Sequence, residues 1–281
     1  MFLKERQYLV ALSFVLAAIG CLATRPVLAV ETLTIGGNGG AIGSMKLLGS
    51  AFEKAHPGIK VVVLPSLGTS GGIKAVYKGA IDIGLSGRLL TDEEKKLGLV
   101  VAEYAKTPLV FAVKADNPLS GLSKDEFLSL LKGAPGTALH GQRMRPILRP
   151  AKDAETLLII KNFPEIGKAI ERTLSSPLDA TVALNAQDAA DLIEKIPGAI
   201  GFSALSLVRS EKRRMKVLPF DGVAPSAENI TNGSYPLVMG LYLVTKPNPP
   251  ERIRKFIEFV HSDHGARLLE ESGNYVVGQR K

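Results

Sequence analysis

Ser66-Leu67-Gly68-Thr69-Ser70-Gly71-Gly72-Ile73-Lys74-Ala75-Val76 is the stretch whose residue types point most directly to chemistry. Thr69 and Ser70 offer hydroxyl donors, and Gly71 and Gly72 let another group come close to the backbone. The apolar run Val61-Val62-Val63-Leu64 precedes it and reads as a short buried strand. Apolar Ile73, Val76 and Tyr77 follow at helical spacing. The order is therefore strand, glycine-rich hydroxyl loop, helix. The first turn of a helix has N–H groups without intrahelical partners and carries the positive end of the macrodipole. Such a loop can bind an anion. Two other readings fit the same residues. Ser70 can be a plain N-cap, with the glycines closing a loop. Gly68-Thr69-Ser70-Gly71-Gly72 also spells the Gly-x-Ser-x-Gly of a hydrolase nucleophile elbow, with His261 or His264 as a late base.

Two further loops share this design. Residues 32–35 alternate as a strand and are followed by Gly36-Gly37-Asn38-Gly39-Gly40, then a predicted helix over 44–56. Ile81-Asp82-Ile83-Gly84-Leu85-Ser86 is a third strand, ending in Ser86-Gly87-Arg88. Open α/β sheets bind ligands at the carboxyl ends of their strands. Three such units, with loops rich in Gly, Ser and Thr, predict a parallel sheet with one shared crevice. Other candidates for chemistry have plainer explanations. His261-Ser262-Asp263-His264 is a conceivable metal pair, but Asp263 reads as the cap of the last helix, with the histidines exposed. Ser129-Leu130-Leu131-Lys132 matches Ser-x-x-Lys but fits an ordinary amphipathic helix.

The rest of the chain supplies the frame. Pro108-Leu109-Val110-Phe111-Ala112-Val113 reads as a strand leaving a first domain. Predicted helices then cover 122–132, 166–173, 186–195 and a segment capped by Asp153, with strands at 145–148 and 199–202. The apolar run over 235–244 reads as a strand returning to the first domain, and helices over 252–262 and 265–271 close the chain. Two long apolar strands bracketing a middle segment suggest two domains with two crossovers.

The chain opens with Lys4 and Arg6, an apolar core from about Leu9 to Leu22, and Val27-Leu28-Ala29. This reads as a secretory signal peptide over residues 1–29. Ala18-Ile19-Gly20-Cys21 loosely resembles a lipoprotein processing site, so a lipid anchor at Cys21 is the alternative. Cys21 is the sole cysteine, so cleavage after Ala29 leaves an exported chain of roughly 250 residues without disulfides, held by its core alone. The formal charge of +8 suits an anionic ligand. Nucleic acid is disfavoured: the basic clusters lack interleaved aromatics and there is no Trp. No cofactor is expected.

Four segments in order carry a family resemblance: Gly68-Thr69-Ser70-Gly71-Gly72-Ile73-Lys74, residues 81–88, Ile196-Pro197-Gly198-Ala199-Ile200-Gly201-Phe202, and Asn232-Gly233-Ser234-Tyr235-Pro236-Leu237. Together they resemble the phosphate-binding, PstS-like family of extracytoplasmic solute-binding proteins. The resemblance implies the type 2 periplasmic-binding-protein fold, two α/β lobes joined by two crossover strands. Lobe one would hold 30–112 and 238–281, and lobe two 113–237. It also implies a monomeric, periplasmic protein, not an enzyme, that passes phosphate or a related oxyanion to an ABC permease in the inner membrane. A sensor or scavenger would look the same. Carried over by residue, the ligand contacts fall on Gly39, Gly40 and Ala41, on Thr69, Ser70 and Gly71, on Ser86 and Gly87, and on Arg149, Asp153 and Thr156. The family's Ser-Gly-Thr after the arginine is absent here, and Asp153-Ala154-Glu155-Thr156 follows Arg149 instead. Asp153 reads first as an N-cap; alternatively Asp153 or Glu155 accepts a proton from a ligand such as hydrogen phosphate, which would exclude sulfate.

Overall fold

The computed structural model describes residues 30–133, 138–176 and 181–276. The expected signal peptide and Cys21 lie outside them. Strand β1 (Glu31–Gly37) runs into helix α1 (Gly39–Ala55), β2 (Ile59–Val63), α2 (Gly68–Tyr77) and β3 (Ile83–Ser86). A short α3 (Asp92–Lys95) leads to the 15-residue β4 (Val100–Lys114). The middle of the chain forms α4 (Lys124–Lys132), the hairpin β5 (Ala138–Leu139) and β6 (Gln142–Arg143), then β7 (Arg145–Leu148). It continues through α5 (Ala154–Asn162), α6 (Pro164–Leu174), β8 (Thr181–Val182), α7 (Ala186–Lys195) and β9 (Ala199–Ala204). Helix α8 (Leu205–Ser210), β10 (Met215–Leu218), α9 (Ala227–Thr231), β11 (Val238–Thr245), α10 (Glu251–Val260) and α11 (Asp263–Glu271) complete it.

The principal sheet has the order β2-β1-β3-β11-β4-β9-β7-β8, and β10 also pairs with β4. β1 is parallel to both β2 and β3, as the three strand–loop–helix units require. The sheet as a whole is mixed, because β11 enters antiparallel between β3 and β4. β4 continues past it to pair antiparallel with β9 and β10. The sheet with helices around it is the mixed α/β architecture expected from the sequence.

β4 begins eight residues before the predicted 108–113, because polar Glu103, Lys106 and Thr107 hide the earlier part from a hydropathy reading. Its two faces serve two apolar cores. Val110 and Ala112 join Ile35, Met45, Phe52 and Leu243 in one core. Leu109, Phe111 and Val113 join Phe127, Ile170, Phe202 and Tyr235 in the other. Strand alternation makes this possible, since successive side chains point to opposite faces.

Three local readings change. Helix α1 starts at Gly39, five residues before the predicted start at 44, so the glycine loop is largely a helix turn. Helix α2 starts at Gly68 with Leu67 at the N-cap, which places Ser70 inside the first turn instead of at the cap. The last helix is capped by Ser262, whose hydroxyl accepts from the Gly265 N–H, and Asp263 is its first helical residue. Among the described residues no helix is long and apolar enough to cross a membrane.

Candidate functional site

The site is built from the carboxyl ends of β1, β3 and β7 and the helix starts beside them. Asn38 leaves β1 with its N–H bonded to the Leu85 carbonyl at 2.8 Å, which ties the end of β1 to β3. Gly39, Gly40 and Ala41 then form the buried first turn of α1. The glycines are required by close packing. A Cβ on Gly39 would lie 2.8 Å from Ala186 Cβ, and one on Gly40 would lie 2.8 Å from Ala204 Cβ. Gln187 Nε2 donates to the Gly39 carbonyl at 3.0 Å, and Ser206 Oγ donates to the Gly40 carbonyl at 2.7 Å. Residues far along the chain thus hold the opening turn of α1 by its carbonyls.

At the second loop Thr69 is buried, and its Oγ1 accepts from the Gly87 N–H at 3.1 Å. The second and third loops are therefore joined. Gly87 also faces the first: a Cβ there would lie 2.9 Å from Asn38 Nδ2 and 3.2 Å from Ala154 Cβ. Ser86 is buried, and its Oγ donates to the Arg88 carbonyl at 2.5 Å, closing its own turn. Ser70 faces outward. It is exposed and accepts from Arg88 Nη2 at 3.0 Å, while Arg88 also pairs with Glu94 at 2.6 Å. The hydroxyl of the hydrolase-like motif therefore meets a guanidinium, which donates and cannot act as a base. Gly71 follows it, half-buried.

Arg149, one residue past the end of β7, is 2% exposed. It is the cation at the heart of the site. Its Nη2 donates to Asp153 Oδ2, and its Nη1 stands against Glu155 Oε2. Asp153 is also the N-cap of α5, its Oδ1 accepting from the Glu155 N–H at 3.0 Å. One carboxylate thus caps the helix with one oxygen and pairs the arginine with the other. Burial pushes the Asp153 carboxyl above its ordinary value, and the Arg149 charge beside it opposes that rise. Burial likewise lowers Arg149, opposed by Asp153, but a guanidinium stays charged throughout the physiological range.

Several polar atoms here are buried without a hydrogen-bond partner among the described residues: Asn38 Oδ1, Arg149 Nε and Nη1, both Glu155 oxygens and Thr156 Oγ1. Buried polar groups are nearly always satisfied, so such a cluster calls for a further partner, a water or a ligand. The Arg149–Glu155 pair is a charge contact without an aligned hydrogen bond. Beside the cluster, Gln187 and Asp188 also line a cavity of about 550 Å³ with Lys46, Ser66, Glu211 and Arg213.

The structure brings Gly39, Gly40, Gly87, Arg149, Asp153 and Thr156 into one neighbourhood and binds Thr69 to it through Gly87. Asn38 and Glu155 are equally central. Asn38 lies within the glycine loop that the resemblance marks for the ligand, but nothing in the sequence singles out its side chain. Glu155 reads from the sequence either as a proton acceptor for the ligand or as an ordinary acid in a helix's first turn. Among the described residues, no group of three or more His, Cys, Asp or Glu side chains is placed to hold a metal ion.

The model of the PBP superfamily domain matches residues 27–264 of the chain. The chain belongs to the PBP superfamily. Within it, the resemblance is to PstS-like phosphate-binding proteins. The phosphate-binding protein PstS of Bacillus subtilis is 23% identical over 255 residues, covering 87% of this chain and 80% of its own length. Among solved structures, a phosphate ABC transporter substrate-binding protein of Clostridium perfringens with bound phosphate superposes with a TM-score of 0.76 at 21% identity. That match covers 88% of this chain and all of the other. An ABC-type phosphate transport receptor of Vibrio cholerae gives a TM-score of 0.61 at 22% identity, covering 87% of this chain and 99% of its own. These superpositions show the periplasmic-binding-protein-like fold expected from the sequence.

Proposed function

We propose that this PBP-superfamily chain is an extracytoplasmic solute-binding protein that captures an oxyanion, with phosphate as first candidate, and delivers it to an ABC permease. The observation that carries the reading is Arg149: a buried cation whose Nε and Nη1 lack hydrogen-bond partners among the described residues, next to the similarly unpartnered Thr156 hydroxyl. A guanidinium presents planar paired donors to an oxyanion, and a helix start adds N–H donors and a favourable dipole. No covalent chemistry is required.

In this mechanism residues 30–112 with 238–281 act as one lobe and 113–237 as the other. The first lobe supplies the opening turn of α1 and the linked loops of Thr69, Ser86 and Gly87. The second supplies Arg149, Asp153 and Thr156. Contacts such as Gln187 to Gly39 and Ser206 to Gly40 join residues of both segments and would fasten the closed form. Closure excludes water, which strengthens each charge-assisted hydrogen bond. An oxyanion touching both lobes shifts the open–closed equilibrium by its differential affinity for the two forms.

Calorimetric titration with phosphate and then sulfate, on protein stripped of ligand by unfolding and refolding, tests the reading. Saturable phosphate binding that falls at least a hundredfold in Arg149→Ala supports it, since a paired charge in a closed site loses its partner. Phosphate binding unchanged in Arg149→Ala would reject this site, and binding of neither anion, by the wild-type chain or by a folded variant that lacks the Glu155 charge, would reject the oxyanion role.

A further inference from the structure

Glu155 is fully buried in the first turn of α5. One of its oxygens stands against Arg149 Nη1, and the other faces the opening turn of α1, where a Cβ on Gly40 would lie 3.1 Å from Oε1. Both outer nitrogens of Arg149 therefore meet carboxylates, Nη1 that of Glu155 and Nη2 that of Asp153. Two acids against one cation leave the cluster with an excess negative charge. The two acids are held very differently. Asp153 accepts from the helix backbone and from Arg149. Among the described residues, neither oxygen of Glu155 receives a hydrogen bond.

We propose that Glu155 is the site's own anion, seated between Arg149 and the amide end of α1, and that an incoming oxyanion binds by displacing or neutralising it. The inference rests on the oxyanion reading above. Two like charges sharing a dry pocket repel strongly, so a dianion cannot simply be added beside an ionised Glu155. Asp153 is fixed by its capping bond, so Glu155 is the group that yields. Once it does, Arg149 Nη1 and Nε and the Thr156 hydroxyl, all without hydrogen-bond partners among the described residues, are available to the ligand. Glu155 then sets affinity by competition, and it weakens binding in place of strengthening it.

The test compares inorganic phosphate binding to the stripped wild-type chain, Glu155→Gln and Glu155→Thr by calorimetry, with circular dichroism confirming that each is folded. The glutamine keeps the shape and removes the charge. The threonine also removes bulk and serves if the glutamine variant misfolds. Phosphate binding at least tenfold tighter in either folded variant is the expected result, including the case where only the variant binds measurably. Wild-type binding with unchanged or weaker binding in the variants overturns the inference and leaves the oxyanion reading standing; weaker binding would make Glu155 an acceptor for a ligand proton. Absence of phosphate binding in all three folded proteins overturns both.

Discussion

The backbone N–H of Ser206 donates to Thr107 Oγ1 at 3.1 Å, and the same hydroxyl donates to the Gly273 carbonyl at 3.2 Å. Thr107 is fully buried midway along β4. One hydroxyl thus joins the start of α8, the long strand and the turn after α11. Ser206 in turn holds Gly40 through its own hydroxyl. The opening turn of α1 is connected to β4 by two hydrogen bonds through one residue.

Thr107→Val keeps the branched shape and removes that hydroxyl. It leaves a buried N–H and a buried carbonyl without their partner, at about 1–3 kcal/mol. A melting temperature lowered by several degrees checks this. A variant that melts with wild type would mean water or a rearranged backbone satisfies both groups.

Arg149→Ala strips the cation from two buried carboxylates. Breaking a buried pair from one side costs about 3–5 kcal/mol. The loss depends on pH, with a definite sign. Burial already holds the folded Asp153 pKa above its ordinary value, and removing Arg149 takes away the charge that opposes this. A carboxyl with a raised folded pKa binds its proton more tightly in the fold than in the unfolded chain. Its destabilisation is full above the folded pKa and fades as pH falls toward the unfolded value. The melting-temperature gap between wild type and Arg149→Ala should therefore narrow from pH 7.5 to pH 5. A gap that widens would contradict the assignment.

Ser70 and Thr69 are adjacent yet face opposite ways. Ser70→Ala removes an exposed partner of Arg88 and should change stability by less than about 0.5 kcal/mol, with phosphate affinity within twofold of wild type. Thr69→Val removes the acceptor of the buried Gly87 N–H, at about 1–3 kcal/mol, and should weaken phosphate binding. Equal effects on affinity would mean that Ser70 turns inward on binding.

Gly72 packs α2 onto the end of β1, where an added Cβ would sit 2.7 Å from Gly37 Cα. Both contacting groups are backbone, so neither can move aside cheaply. Gly72→Ala should cost about 1–3 kcal/mol through overpacking, read as a lower denaturation midpoint. A neutral result would show that α2 slides easily along the sheet.

Most of the frame was legible because its signals are local. Strand β7 and helix α7 were placed at their observed ends, since turn residues and apolar spacing mark them. The Asp153 cap was legible from residue type, and the structure adds that the same carboxylate pairs Arg149. The start of α1 was not, because four glycines in five residues argue against a helix unless neighbouring chain braces them, as Gln187 and Ser206 do. Helix α8 is six residues long and fills a gap against α1, which no periodicity announces. Asn38 and Glu155 carry no distinctive spacing. What sets them apart is buried side-chain oxygens that meet no hydrogen-bond donor among the described residues, a property of the assembled fold.

Strand β4 serves both apolar cores, with Val110 and Ala112 on one face and Leu109, Phe111 and Val113 on the other. A gene fragment ending before this strand would lack the wall that both cores share. The same arrangement burdens mutational drift: a residue here answers to its own core through its side chain and to the opposite core through its backbone position. Viable cut points for circular permutation lie elsewhere, at exposed turns such as Gly98, where an added Cβ would touch nothing.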